Sequence, residues 1–117
     1  MSQSKLIADL SFTVFKKLGY GMPVAAYQNG YSIVLAEHGY HHTRNDKADV
    51  FFDQTKVATL TAHFIVEGNL LLEVTNKKEI SDLELVKTKR KLFAFGLQEA
   101  IHINFDARQV QYKRIQL

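Results

Sequence analysis

The chain has 117 residues, 46% of them apolar, with eight Phe and five Tyr, six Gly, one Pro and no Cys. That is the size of one domain, 1–117, with enough apolar side chain for a core and little room for a disordered linker. The absence of a run of about eighteen apolar residues argues against a membrane span. Met1-Ser2-Gln3-Ser4-Lys5 lacks the apolar segment of a secretory signal, and without Cys there is no disulfide framework or thiolate metal site. A cytoplasmic protein is expected. The net charge of +3 permits contact with nucleic acid without demanding it, since clustering decides the matter. Basic residues cluster at Lys87, Lys89, Arg90 and Lys91, and again at Lys113 and Arg114.

The first expected helix covers residues 5–17, where Leu6, Leu10 and Val14 recur at helical spacing beside Ile7 and Phe15. Ser4 is its expected N-cap, and Gly19 and Gly21 end it. Pro23 suits the first turn of a second helix that runs to about His38 and stops at Gly39. Gly30 inside that helix predicts close approach of a neighbouring element.

The middle of the chain reads as β. Residues 48–52 form a strand, 53–56 a turn, 57–66 a long strand, Glu67-Gly68-Asn69 a turn and 70–75 a third strand. The run Leu70-Leu71-Leu72 predicts burial on both faces, as in a central strand. Ser81 caps a further helix, and Glu84 at its third position completes a capping box. That helix ends near Gly96. Residues 99–105 and 109–115 form the last two strands around an Asp106-Ala107-Arg108 turn. The expected order is α-α-β-β-β-α-β-β, a mixed α/β sheet flanked by helices.

A hairpin centred on Gly68 sets Val66 against Leu70, Ile65 against Leu71 and His63 against Glu73. Thr61 and Thr75 then join His63 and Glu73 in one polar cluster, while Ala62, Phe64, Leu72 and Val74 face the apolar side. A carboxylate in such a strand needs a partner. Pairing with His63 or a nearby Lys, or a wet strand end, explains it more simply than a metal or substrate site. His38, His41 and His42 point in different directions and are read as solvated or capping groups. His102, between Ile101 and Ile103, is read as a satisfied core or edge histidine.

Gly19-Tyr20-Gly21-Met22-Pro23-Val24-Ala25-Ala26-Tyr27 resembles the signature region of the bacterial G-x-x-E-x-x-Y proteins, a PD-(D/E)XK nuclease-like family. The similarity continues through Gly39, His63-Phe64-Ile65-Val66, Glu73-Val74-Thr75, Ile103-Asn104-Phe105 and Tyr112-Lys113-Arg114-Ile115. It spans about Leu6 to Leu117. The resemblance implies a restriction-endonuclease-like fold and a set of site positions, and the departures fall on those positions. Val24 stands for the Glu of the first motif, His63 for the Asp, Thr75 for the Lys of E-x-K and, by spacing, Lys87 for a Gln on the following helix. Glu73 is retained.

Such nucleases hold Mg²⁺ on carboxylates and use a Lys near the attacking water. Mg²⁺ takes hard oxygen ligands, whereas His63 offers a nitrogen better suited to transition metals. The leading expectation is therefore a non-catalytic protein with a vestigial site at Val24, His63, Glu73, Thr75 and Lys87 and no cofactor. Its role would be binding or regulation, with nucleic acid or another protein as partner. Lys87, Lys89, Arg90 and Lys91 are the candidate nucleic-acid contacts. Two alternatives stand beside it. One is a divergent nuclease built on His63, Glu73 and Lys87, with Mg²⁺ or Mn²⁺ and with His63 and Glu73 as weak metal candidates; Lys77, sharing strand parity with Thr75, lies about 7 Å too far along. The other is a self-associating protein with no ligand in its cleft.

Overall fold

A computed structural model describes residues 2–117. Helix α1 (Gln3–Leu18) begins earlier than its apolar pattern suggests. Ser2, not Ser4, is the cap, and its hydroxyl accepts the Lys5 N–H at 3.2 Å. Ser4 is instead buried on the inner face with Ile7, Leu10 and Val14, and Leu6 turns outward. Helix α2 (Val24–Glu37) starts after Pro23, and Gly39 follows its end at a φ of +78°. A Cβ at Gly30 would meet Leu18 Cδ1 at 3.1 Å and Val14 Cγ1 at 3.5 Å, so α1 does pack closely there.

Five strands follow: β1 (His42–Phe52), β2 (Thr55–Val66), β3 (Leu70–Thr75), then β4 (Glu99–Phe105) and β5 (Val110–Gln116) after helix α3 (Asp82–Phe95). The expected α-α-β-β-β-α-β-β order is the observed one. The strands lie in chain order across one sheet, and only β3 and β4 pair in parallel, joined by the α3 crossover. Strand β1 is longer than the expected 48–52. Its first half, His42 to Lys47, has little β propensity and is held by an antiparallel ladder to β2 that skips only Asn45, whose φ is +60°.

Most of the core lies between the sheet and the α1–α2 pair. Phe105 of β4 stacks on Tyr27 at 4.3 Å, with Tyr31 edge-on at 6.4 Å. The Tyr27 hydroxyl donates to the Gly19 carbonyl at 2.8 Å, and that of Tyr31 to the Ile7 carbonyl at 2.6 Å. Both buried phenols thus find acceptors, as burial requires. A smaller cluster of Leu71, Leu92, Ala100 and Ala62 lies under α3. Ala62 therefore departs from its expected place beside Phe64. Residues Leu70 to Val74 of β3 are all buried, because helices cover this central strand on both sides.

Candidate functional site

The ladder between β2 and β3 runs from Val66↔Leu70 to Phe64↔Leu72 and then ends. On the far side of β3, pairing with β4 continues through Glu73↔His102 and Thr75↔Asn104. Beyond Leu72 the strands β2 and β3 therefore part, and side chains occupy the missing ladder positions. Glu73 Oε2 accepts the His63 N–H at 2.8 Å, and His63 Nδ1 accepts the Val74 N–H at 3.0 Å. The expected meeting of His63 with Glu73 occurs, but through the backbone of each strand. Thr61 does not join them: its hydroxyl accepts from Lys47 on β1 at 2.8 Å. Thr75 turns to β4 instead, its hydroxyl 2.8 Å from Asn104 Oδ1 and 3.1 Å from His102 Nε2. Gln28 of α2 holds the parted strand from the other side, its Nε2 donating to the Val74 carbonyl at 2.9 Å.

The parting opens a cleft of about 320 Å³ at the carboxyl ends of the parallel strands, the usual place for a ligand in a sheet with parallel crossovers. Val24, His63, Glu73, Thr75 and Lys87 all line it, together with Gln28, Lys77, Glu84, Thr88, Lys91 and His102. The four basic residues grouped by sequence separate in space. Lys87 and Lys91 face the cleft, while Lys89 and Arg90 line grooves on the outer side of α3.

Glu73 is 3% exposed. Its Oε1 accepts from the Lys91 ammonium, whose side chain is largely buried. The cation on the carboxylate is thus Lys91, one helical turn beyond Lys87. His63 Nδ1 lies 3.8 Å from Glu73 Oε2, yet the two do not form an ion pair. That nitrogen's lone pair already takes the Val74 N–H, so the ring proton belongs on Nε2 and the imidazole is neutral. Burial, only partly offset by Glu73, keeps the His63 pKa below the ordinary histidine value.

His102 is held between two hydroxyls, with Thr88 Oγ1 at 3.0 Å from Nδ1 and Thr75 Oγ1 at 3.1 Å from Nε2. Thr88 gives its own proton to the Glu84 carbonyl, so its oxygen accepts from His102 Nδ1–H. Nε2 then accepts the Thr75 hydroxyl proton, which makes His102 the satisfied, neutral core histidine expected, and burial lowers its pKa as well. Glu84 bonds Lys77, which holds its carboxyl below the usual range. Ser81 accepts the Glu84 N–H at 3.2 Å, but with the Glu84 side chain on Lys77 only this half of the expected capping box forms. Away from the cleft, His42 bonds Ser32 at 2.7 Å, His38 reaches the Val34 carbonyl at 2.9 Å and His41 is exposed.

These side chains do not suit a divalent ion. Glu73 is engaged by Lys91 and a backbone N–H, Glu84 by Lys77, and His63 keeps only Nε2 free. Among the described residues no group of three or more His, Cys, Asp or Glu side chains could hold a metal.

A mixed sheet between helices, with a cleft where β2 and β3 part, defines a nuclease-like class of α/β protein. The family model of the PD-(D/E)XK nuclease superfamily matches residues 2–115, and the chain belongs to that superfamily. Among solved structures it is similar to SSO0001, with a TM-score of 0.53 and 11% identity over 98% of this chain and 52% of that one. It is also similar to an alkaline exonuclease from Laribacter hongkongensis, with a TM-score of 0.51 and 14% identity over 99% of this chain and 72% of that one. The chain thus spans about half the length of the first of these. At such identities the likeness is one of fold. Comparison with curated proteins gave no match.

Proposed function

We propose that this chain is a non-catalytic member of the superfamily whose cleft binds the phosphate backbone of a nucleic acid. On the motifs from Gly19 to Tyr27 onward it would sit with the G-x-x-E-x-x-Y proteins. The observation that carries the reading is the Lys91–Glu73 contact: an ammonium occupies the one retained carboxylate of the motif, where a nuclease needs a metal ion. Lys77, Lys87 and Lys91 line the cleft against Glu73 and Glu84, so with neutral histidines its lining carries a net positive charge. That balance favours an anion. The exonuclease fold of a structural relative is consistent with a nucleic-acid ligand.

The test has two arms. Single- and double-stranded DNA and RNA are incubated with Mg²⁺ or Mn²⁺, wild type against Glu73→Ala; no cleavage is expected. Metal-dependent cleavage that Glu73→Ala abolishes would overturn the proposal in favour of a rebuilt nuclease site using His63, Glu73 and a helix lysine. Affinity for the same nucleic acids is then measured across salt concentration. Binding that weakens with salt, and whose salt slope falls by about one on Lys87→Ala, is expected. Absence of any salt-dependent binding would also overturn the proposal.

A further inference from the structure

The outer face of α3 and the β1–β2 arm carry apolar surface that the body of the chain does not cover. Leu83, Val86 and Phe93 form a stripe at helical spacing on α3, and are 60, 63 and 61% exposed. On the arm, Phe51, Phe52 and Val57 are 58, 72 and 59% exposed. From Thr55 to Thr59 every residue of β2 is exposed, so the arm extends as two strands without a third, an arrangement that gains little stability by itself. The molecule is drawn out accordingly, 46 Å long by 30 and 23 Å. Its accessible surface is 6948 Å², where a compact monomer of this mass has roughly 6,500 Å².

Between the helix and the arm run two adjoining grooves that share Arg90. One, of about 240 Å³, is lined by Val50, Phe51, Phe93 and Asp49. The other, of about 370 Å³, is lined by Leu60 and Val86 between Lys87 and Lys91. The register shifts between Val50 and Phe51, where Val57 is the extra residue on β2, and both Val50 and Phe51 line the first groove.

We propose that two copies of this chain associate through a two-fold axis, the arm of each seated in the groove of the other. A second copy brings unmatched charges together across the axis. Lys89 and Arg90 on the helix and Asp49 and Asp53 on the arm have no ion-pair partner among the described residues. The arm as a whole is balanced, with Lys47 and Lys56 beside these aspartates, but Arg90 of each copy can meet Asp49 of the other twice across the axis. The area agrees. The six exposed apolar side chains amount to on the order of 700 Å² per copy, against about 800 Å² per partner in an interface of ordinary size. The second groove borders the cleft, since Lys87 and Lys91 line both, but the association is read from mass alone and does not depend on a ligand in the cleft.

The test is the mass of the full chain in solution, by sedimentation and light scattering, from low micromolar to hundreds of micromolar. A concentration-dependent shift from 13.4 kDa to twice that mass is expected. Phe93→Ser should leave a monomer. Arg90→Glu and Asp49→Lys should each leave a monomer with an unchanged circular-dichroism spectrum, and an equimolar mixture of the two should dimerise. In the mixed pair both contacts regain opposite charges, whereas each variant paired with itself has like charges. A wild-type monomer at every concentration would overturn the proposal and leave this face to a partner of another kind. A dimer indifferent to Phe93→Ser, or a mixture that fails to dimerise, would overturn the arm-in-groove arrangement.

Discussion

A carboxylate as deeply buried as that of Glu73 needs a counter-charge, and Lys91 supplies it. Removing one partner of such a pair strands the other, at a cost of about 3–5 kcal/mol, whereas replacing both with apolar groups can be neutral. Lys91→Met is therefore expected to lower unfolding stability by about 3 kcal/mol, and adding Glu73→Leu to restore only part of it, because Leu leaves the His63 N–H without its acceptor; urea melts of the single and double variants check this. The two cleft histidines set the response to pH. Both are held neutral, with folded pKa values below 6.5. The unfolded chain then binds more protons, so the stability they contribute is present above the ordinary histidine range and lost as pH falls through the depressed folded values. Glu84, depressed by Lys77, adds a further loss below its ordinary 4.5. Unfolding midpoints should fall on acidification from neutral pH, and less steeply in His63→Gln. Protonation of His63 also removes the acceptor for the Val74 N–H. Protection of that amide against hydrogen exchange should therefore drop before that of Leu72.

Among the elements, α3 depends on its cap and α2 on its glycine. Ser81→Ala removes the hydroxyl that accepts the Glu84 N–H and should cost about 1 kcal/mol. Gly30→Leu places a side chain where even a Cβ meets Leu18 at 3.1 Å. Over-packing of this kind costs about 1–3 kcal/mol, read as a lowered melting temperature. These elements were legible because their signals are local: apolar spacing in α1, Pro23 and Gly39 around α2, Ser81 before α3, and the Glu67-Gly68-Asn69 turn that sets the first three pairs of the hairpin. What was not legible depends on distant residues. The first half of β1 is polar and becomes a strand only because β2 pairs with it. The cluster expected at Thr61 and Thr75 assumed that the hairpin stays closed. Gln28 and Asn104, 46 and 29 residues from their partners, help hold it open. All five sequence-derived cleft positions do line one cavity. The charge partner of Glu73, however, is Lys91 where Lys87 seemed the residue to watch. Both share a helical face, and which one reaches the strand depends on how α3 crosses the sheet.

At the level of the whole molecule, the PD-(D/E)XK framework persists while the polar groups inside its cleft bond chiefly to one another. Phe105 is where the layers meet: it stacks on Tyr27, faces Tyr31 edge-on and lies parallel to Phe15 at 6.3 Å. Phe105→Ala should cost about 3–5 kcal/mol, measurable by denaturant unfolding, because α1, α2 and the sheet all lose the same contact.

The position of Phe105 also bears on how the chain comes together on the ribosome. Each strand of the sheet can find its neighbour soon after it emerges, since strand order follows chain order. The first two helices are made early, yet the surface they cover is made late. Phe64 and Leu72 arrive dozens of residues afterwards, and the ring that stacks on Tyr27 comes only with the end of β4. Until then a nascent chain carries two amphipathic helices with Tyr27 and Tyr31 uncovered, a stretch of synthesis in which a chaperone has an apolar surface to hold.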